Sequence, residues 1–123
     1  MRYLVNLLLT VTLAGMPSLP AISLAVTPHV GRSPLTVLAK VSVMQNIHNR
    51  GLCLEWAQLL DNGELGETGL SCHSLDGASA PITSQREIVL RASGTYSIVA
   101  GVTRDDGTAK RSGVETVEVL DRD

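Results

Sequence analysis

An alternation of apolar and polar residues is the feature that most constrains the fold of this chain. Over residues 35–43 the sequence reads LTVLAKVSV, so every odd-numbered position is apolar and most even-numbered positions are polar. A period of two puts the odd-numbered side chains on one face of a β-strand. The turn-forming residues Gly31, Ser33 and Pro34 precede this segment. We therefore expect a half-buried strand from residue 35, with a short edge strand over residues 26–30 before the turn.

The same alternation returns in residues 52–57. The even-numbered residues, which end at Trp56, are apolar and share one face, and Cys53 and Glu55 lie on the other. This pattern predicts a strand whose apolar face points inward. A short helix over residues 52–60 is the alternative, but the glycines at positions 51 and 63 limit its length and favour the strand.

The C-terminal part also reads as strands separated by turns. Residues 87–90 form one short strand, and residues 93–103 form a longer one in which Tyr96 begins an inward-facing series of every second residue. Asp106 and Gly107 then predict a hairpin turn. In the returning strand, over residues 113–120, the apolar positions change from even-numbered to odd-numbered residues. We therefore expect a β-bulge near residues 115–116.

These strands predict an all-β fold. About seven short strands, with Trp56 on the third and Tyr96 entering the next-to-last, are typical of an immunoglobulin-like, fibronectin-III-like antiparallel β-sandwich. The sequence resembles the polycystic-kidney-disease-type (PKD) domains of bacteria and archaea over residues 26–121. The segments that carry this resemblance are SPLTV at 33–37, Trp56 with DNG at 61–63, GTYSI at 94–98, DG at 106–107 and VEV at 117–119.

The resemblance implies a spacer, adhesion or recognition module of the kind appended to larger surface proteins. Such domains rarely carry catalysis themselves. It also gives Tyr96 the role of a tyrosine corner, with the ring packed inward and the hydroxyl bonded to backbone upstream. A separate copy of this kind of domain implies a small secreted binder, an inhibitor or a subunit of a surface assembly.

The first 25 residues read as a secretory signal. Arg2 precedes an apolar run over residues 4–14, which is shorter than the roughly 20 residues of a membrane-spanning helix. Ser23, Leu24 and Ala25 form a small-x-small cleavage site, so we expect cleavage after Ala25 and a single domain over residues 26–123. The alternative is an uncleaved N-terminal anchor or later processing. A cleaved chain is expected to be secreted, periplasmic or at the cell surface, with no integral membrane span.

Cys53 and Cys72 are the only cysteines in the sequence. Two cysteines in an exported chain predict one structural disulfide, and two free buried thiols are the alternative. Because Cys53 lies on the outward face of its strand, the bond is expected to tie that strand to a neighbour without crossing the core.

Composition excludes several classes of function. The net charge is -2 and only 2% of the residues are aromatic, so the chain lacks the basic cluster and stacking platforms that nucleic-acid binding requires. His29, His48 and His73 match no local metal signature, and a disulfide at Cys72 removes the thiolate that a copper site with His73 and Met44 would need. There is no Gly-x-Ser-x-Gly motif. We predict no catalytic residue, no cofactor and no metal.

Surface recognition remains as the expected function. Residues 61–69 form an acidic, glycine-spaced region pinned by the disulfide, so Asp61, Glu64 and Glu67 are candidate contacts for a basic protein partner. One alternative is a secreted inhibitor that inserts this region as a protruding loop into a protease or hydrolase. Another is a periplasmic metal-handling protein, which requires convergent histidines. The edge strand at 26–30 is a further candidate for exchange between subunits.

Overall fold

Strands form the whole regular structure of the described chain. The computed structural model describes residues 20–77 and 82–122, and no helix occurs in those two ranges. The expected all-β fold is confirmed, with nine strands instead of about seven. They are β1 Ile22–Thr27, β2 Val30–Arg32, β3 Leu35–Val43, β4 Asn49–Leu59, β5 Leu65–Ser74, β6 Ile82–Leu90, β7 Gly94–Arg104, β8 Ala109–Arg111 and β9 Glu115–Leu120.

The strands form two sheets that pack as a β-sandwich. The small sheet has the order β1-β3-β6, and the large sheet has the order β2-β9-β7-β4-β5, with β8 also paired to β7. All pairs are antiparallel except β2 with β9, which is parallel. The predicted antiparallel pairing therefore holds for the strand pairs of the described residues except β2 with β9.

The chain changes sheets near its N-terminal end. The predicted single edge strand over residues 26–30 is in fact two strands, because β1 pairs with β3 and β2 pairs with β9. Pro28 lies between them and has no N–H to donate. The carbonyl of His29 accepts the N–H of Glu118 and begins the second pairing. Both strands are sheet edges, as expected for a segment that contains proline.

The predicted cleavage site lies inside β1, and residues 1–19 lie outside the described part of the chain. Cleavage after Ala25 stays a prediction. It would remove the part of β1 in which Ile22 pairs with Val43 and Leu24 with Val41. Ile22 is only 3% exposed.

We expect a chain that starts at Val26 to be about 2 kcal/mol less stable than one that starts at Pro20, because it loses the burial of Ile22 and part of a strand ladder. Urea unfolding of the two chains measures the difference. Ile22→Ala in the longer chain should reproduce much of the loss. Equal stabilities would mean that residues 22–25 contribute nothing to the sandwich.

The core lies between the sheets and follows the predicted alternation. On β7, the series that begins at Tyr96 is fully buried at every second residue through Val102. Residues of odd number on β3 face it from the small sheet. The strand expected at residues 52–57 is confirmed as part of β4, with Leu52 and Leu54 buried and Trp56 packed against the core. The apolar faces were therefore assigned correctly from the sequence on all three strands.

The parity change before the last strand is real but lies earlier than predicted. The hairpin at Asp106 and Gly107 is confirmed, with Gly107 at a φ of 88°. The returning chain forms two separate strands: Arg111 pairs with Gly101 of β7, and Glu115 pairs with Ile98. Between these two pairs the returning chain has one residue more than β7, and this extra residue lies within residues 112–114. Ser112 fills this break, where its Oγ accepts the N–H of Ala100 and its own N–H donates to the Ala100 carbonyl. The predicted bulge at 115–116 is wrong because those residues pair regularly with β7.

The acidic region at 61–69 is shorter than predicted. Residues 65–69 belong to β5, and only residues 60–64 form the turn. Leu60 donates its N–H to the carbonyl of Glu64, and Gly63 adopts a φ of 86° that only glycine takes readily. The side chain of Asn62 accepts the N–H of Glu64. These bonds close a tight hairpin, so no protruding loop exists at the place where the inhibitor alternative requires one.

Candidate functional site

The outer face of the large sheet holds a depression with a volume of about 510 Å³. Its side chains come from strands that lie side by side, because Glu55 of β4 pairs with Leu70 of β5 on one side and with Val99 of β7 on the other. Side chains directly opposite in a ladder point to the same face. Leu54 and Ile98, their neighbours along the strands, point into the core. The row formed by Leu70, Glu55 and Val99 therefore faces solvent.

Two leucine side chains on this face are largely exposed to solvent. Leu70 is 64% exposed and Leu65 is 59% exposed, and Ala57 and Val99 lie beside them in the same depression. Single exposed leucines are common, but a contiguous apolar patch in a concave surface is typical of a recognition site. We refer to the surface formed by Glu55, Ala57, Leu65, Leu70, Val99 and Arg111 as the outer-face depression.

Two opposite charges border the outer-face depression. Glu55 and Arg111 are both exposed and both line it. Within residues 20–77 and 82–122, neither side chain takes part in an ion pair or a side-chain hydrogen bond. The depression therefore presents an apolar floor with one free carboxylate and one free guanidinium at its border.

The disulfide lies on the same face. Cys53 and Cys72 are bonded and stand directly opposite each other in the β4–β5 ladder. The prediction that this bond joins neighbouring strands without crossing the core is confirmed. Because β5 is the last strand of its sheet, the bond fixes an edge strand that has a ladder partner on one side only. It therefore restrains β5, the strand on which Leu70 lines the depression.

The three acidic residues predicted to contact a partner do not act alike. Asp61 and Glu64 are exposed on the turn next to Leu65, at one end of the depression. Glu67 is instead half-buried, and its carboxylate accepts the N–H groups of Arg91 and Ala92 at 3.4 and 3.1 Å. Its contacts are internal to the domain. Partner binding by Asp61 and Glu64 stays a prediction.

Glu67 takes part in the tyrosine corner. The ring of Tyr96 is fully buried and its hydroxyl donates to the carbonyl of Ala92 at 2.9 Å, which confirms the predicted bond to upstream backbone. Glu67 Oε1 lies 3.2 Å from the same hydroxyl. Sequence reasoning missed this role, because nothing along the chain shows that β5 passes the start of β7.

Burial, followed by the nearby charge of Glu67, raises the pKa of Tyr96 from 10.0 to about 12. Because the folded-state pKa is above the unfolded value, the neutral phenol stabilises the fold fully below pH 10, and this contribution is lost as the pH rises toward about 12. We expect the ultraviolet absorbance of phenolate to appear for Tyr96 only near that pH or on unfolding. In urea, the same residue should titrate near its ordinary pKa. Titration near pH 10.0 in the folded protein would show that the ring is accessible.

The histidines lie apart and each has its own partner. His29 lies 3.4 Å from Glu115, His48 lies 2.8 Å from Asp105, and His73 accepts a hydrogen bond from Arg86. Across residues 20–77 and 82–122, no group of three or more histidine, cysteine, aspartate or glutamate side chains is arranged to hold a metal. The convergence that a metal-handling protein requires is thus missing from the described residues.

Comparisons with known proteins find similar solved structures and no match of another kind. No protein-family model matches the sequence, and no curated protein matches it. Among solved structures, the chain is similar to a Pseudomonas fluorescens alkylpurine DNA glycosylase, AlkC, bound to DNA that contains an abasic site analog. The TM-score is 0.53 and the identity is 16%, and the match covers 81% of this chain but 30% of the glycosylase chain. At this identity the likeness concerns the fold alone, and the resemblance to PKD domains stays a prediction.

Within residues 20–77 and 82–122, no helix is long and apolar enough to cross a membrane.

Proposed function

We propose that this protein is a secreted or surface-associated module with an immunoglobulin-like fold that acts through protein–protein contacts and not by catalysis. The tyrosine corner at Tyr96 and the inward-facing Trp56 on β4 support the immunoglobulin-like topology. The disulfide supports an oxidising compartment outside the cytoplasm.

The outer-face depression is the observation that carries this proposal. Leu65 and Leu70 expose most of their side chains on a sheet face that could have been polar at no cost to the core. Burial of apolar area against a partner recovers about 25 cal/mol per Å², so such a patch favours association. The concave shape fits a protruding aliphatic side chain of another protein. Asp61 and Glu64, at the end of the depression, favour basic residues in that partner's flank.

Protein is a better candidate partner than DNA. The glycosylase of similar fold is bound to DNA, but nucleic-acid binding draws most of its affinity from clustered lysine and arginine. This chain has a net charge of -2, and its outer-face depression holds one cation and one anion. An apolar floor with balanced charge favours a protein surface.

Leu70→Arg tests the proposal. We expect this variant to reduce partner binding at least tenfold, because it places a charge on the apolar floor, while thermal stability changes little at an exposed site. The matched control is Leu38→Arg, since Leu38 is 38% exposed on the outer face of the small sheet. Native mass spectrometry of each chain purified from its host measures the bound fraction. Equal binding by both variants would place the contact elsewhere.

A further inference from the structure

We infer that the partner on the outer-face depression is a second copy of this chain, docked face to face about a two-fold axis. This inference rests on the proposed function, since it names the occupant of the same surface. A two-fold interface uses one patch on both subunits, so the patch must be complementary to itself. The outer-face depression has the two properties that this requires, an apolar centre and opposite charges on opposite sides.

The charges are arranged for reciprocal pairing. Glu55 lies on β4 and Arg111 lies on β8, and β7 runs between these two strands in the sheet. A two-fold axis in the interface, directed along β7 near Val99, exchanges the β4 side of one copy with the β8 side of the other. Glu55 is level with Val99, and Arg111 is level with Gly101, two residues further along β7. The long Arg111 side chain of each copy reaches across this offset to Glu55 of its partner, so the interface contains two equivalent ion pairs.

The internal structure leaves both charges available for this contact. In the described part of the chain, neither Glu55 nor Arg111 has an ion-pair partner. Gly101 stands directly opposite Arg111 in the β7–β8 ladder and has no side chain to occupy the space between the guanidinium and β4.

The apolar centre supplies the driving force for association. Val99 lies on the strand that contains the proposed axis, so its side chain would face its counterpart in the other copy. Leu70 and Ala57 widen the apolar area on the β4–β5 side. Two sheets that pack face to face normally lie about 10 Å apart, a separation that aliphatic side chains of this size fill.

A charge-swap experiment on the chain as purified from its host tests this arrangement. We expect sedimentation of the natural chain across a concentration series to show a monomer–dimer equilibrium. Glu55→Arg alone and Arg111→Glu alone should each raise the dimer Kd at least tenfold, because each places like charges together at two symmetric positions. The double variant, Glu55→Arg with Arg111→Glu, should return the Kd to within a few fold of the natural value.

Charge reversals on the other sheet provide controls. Lys40→Glu and Glu87→Arg lie on exposed positions of the small sheet and should leave the dimer unchanged. A natural chain that stays monomeric at every concentration would overturn the inference. A folded double variant whose Kd remains as high as those of the single variants would also overturn it.

The failure of this inference differs from the failure of the proposed function. If the chain is monomeric but Leu70→Arg loses a different bound protein, the depression is a protein-binding site and the second copy is the wrong occupant. If the chain is monomeric and Leu70→Arg changes no protein contact, the second copy and the proposed protein-binding site are both wrong. Retention of duplex DNA by the natural chain, lost in Arg111→Glu, would likewise replace the second copy with a nucleic acid.

Discussion

Replacement of Tyr96 by alanine is expected to lower the free energy of unfolding by about 3–5 kcal/mol, the largest effect of any single change proposed here. The ring is fully buried near the start of β7 and belongs to the hydrophobic core between the two sheets. The substitution leaves a cavity and also strands the carbonyl of Ala92 without its donor. Urea unfolding followed by circular dichroism measures the loss, and the variant should be close to unfolded at 37 °C if the domain has ordinary stability.

Tyr96→Phe is the matched control, because it keeps the ring and removes only the hydroxyl. We expect this variant to lower the free energy of unfolding by about 1 kcal/mol, the usual net contribution of one hydrogen bond. Glu67 retains its bonds to the backbone of Arg91 and Ala92 in this variant. Equal losses for the two variants would show that the hydroxyl contacts, and not the packing of the ring, hold the corner together.

Removal of the disulfide is expected to lower the free energy of unfolding by about 3 kcal/mol. Cys53 and Cys72 are separated by 19 positions, and their bond restricts the unfolded chain over that loop. In the double variant Cys53→Ala with Cys72→Ala, no covalent bond would hold β5 to β4, and the strand ladder and the bond from Glu67 to Gln58 would remain. We expect β5 to exchange its amide hydrogens faster than β7 does, because an edge strand has neighbours on one side only.

Reduction of the natural chain should reproduce the effect of the double variant. Hydrogen exchange resolved by residue distinguishes a local loss at β5 from a uniform loss across the sandwich. If the double variant and the natural chain unfold at the same urea concentration with the same slope, the bond contributes no net stability. In that event the hairpin closed by Leu60 and Glu64 would be sufficient to hold β5 in register.

The sequence predicted those elements in which one face is buried and the other is polar. Strands β3, β4 and β7 alternate cleanly, so their inward faces and the position of Cys53 followed from a period of two. The disulfide followed from the cysteine count. In each case the signal is local, and the tertiary structure agrees with it.

Strand β5 was missed because its signal is not local. Its first half contains Gly66, Glu67 and Gly69, residues that favour turns when read in sequence. The ladder with β4 overrides that preference, and Gly69 is needed because a Cβ there would collide with the indole of Trp56, directly across the ladder. The side chain of Gln58 accepts the N–H of Glu67 where the ladder is irregular. These contacts cannot be inferred from residue types and spacing.

The candidate site could not be predicted for a related reason. Leu70 and Val99 are apolar residues in strands, and the sequence offers no way to tell an exposed leucine from a core leucine. Only the sheet order shows that they flank Glu55 on the outer face. The exposed acids of the turn were the visible candidates, and they lie at the end of the surface that the structure identifies.

The most direct test of the account is the accessibility of individual methyl groups in the assembled protein, measured by nuclear magnetic resonance with a soluble paramagnetic probe. We predict that the methyl groups of Leu65, Leu70 and Val99 are shielded from the probe in the assembly, whereas those of Leu38 and Val89 on the small sheet relax as they do in the free chain. Strong relaxation of Leu65, Leu70 and Val99 in the assembly, equal to that of Leu38, would contradict the claim that the outer-face depression is the contact surface.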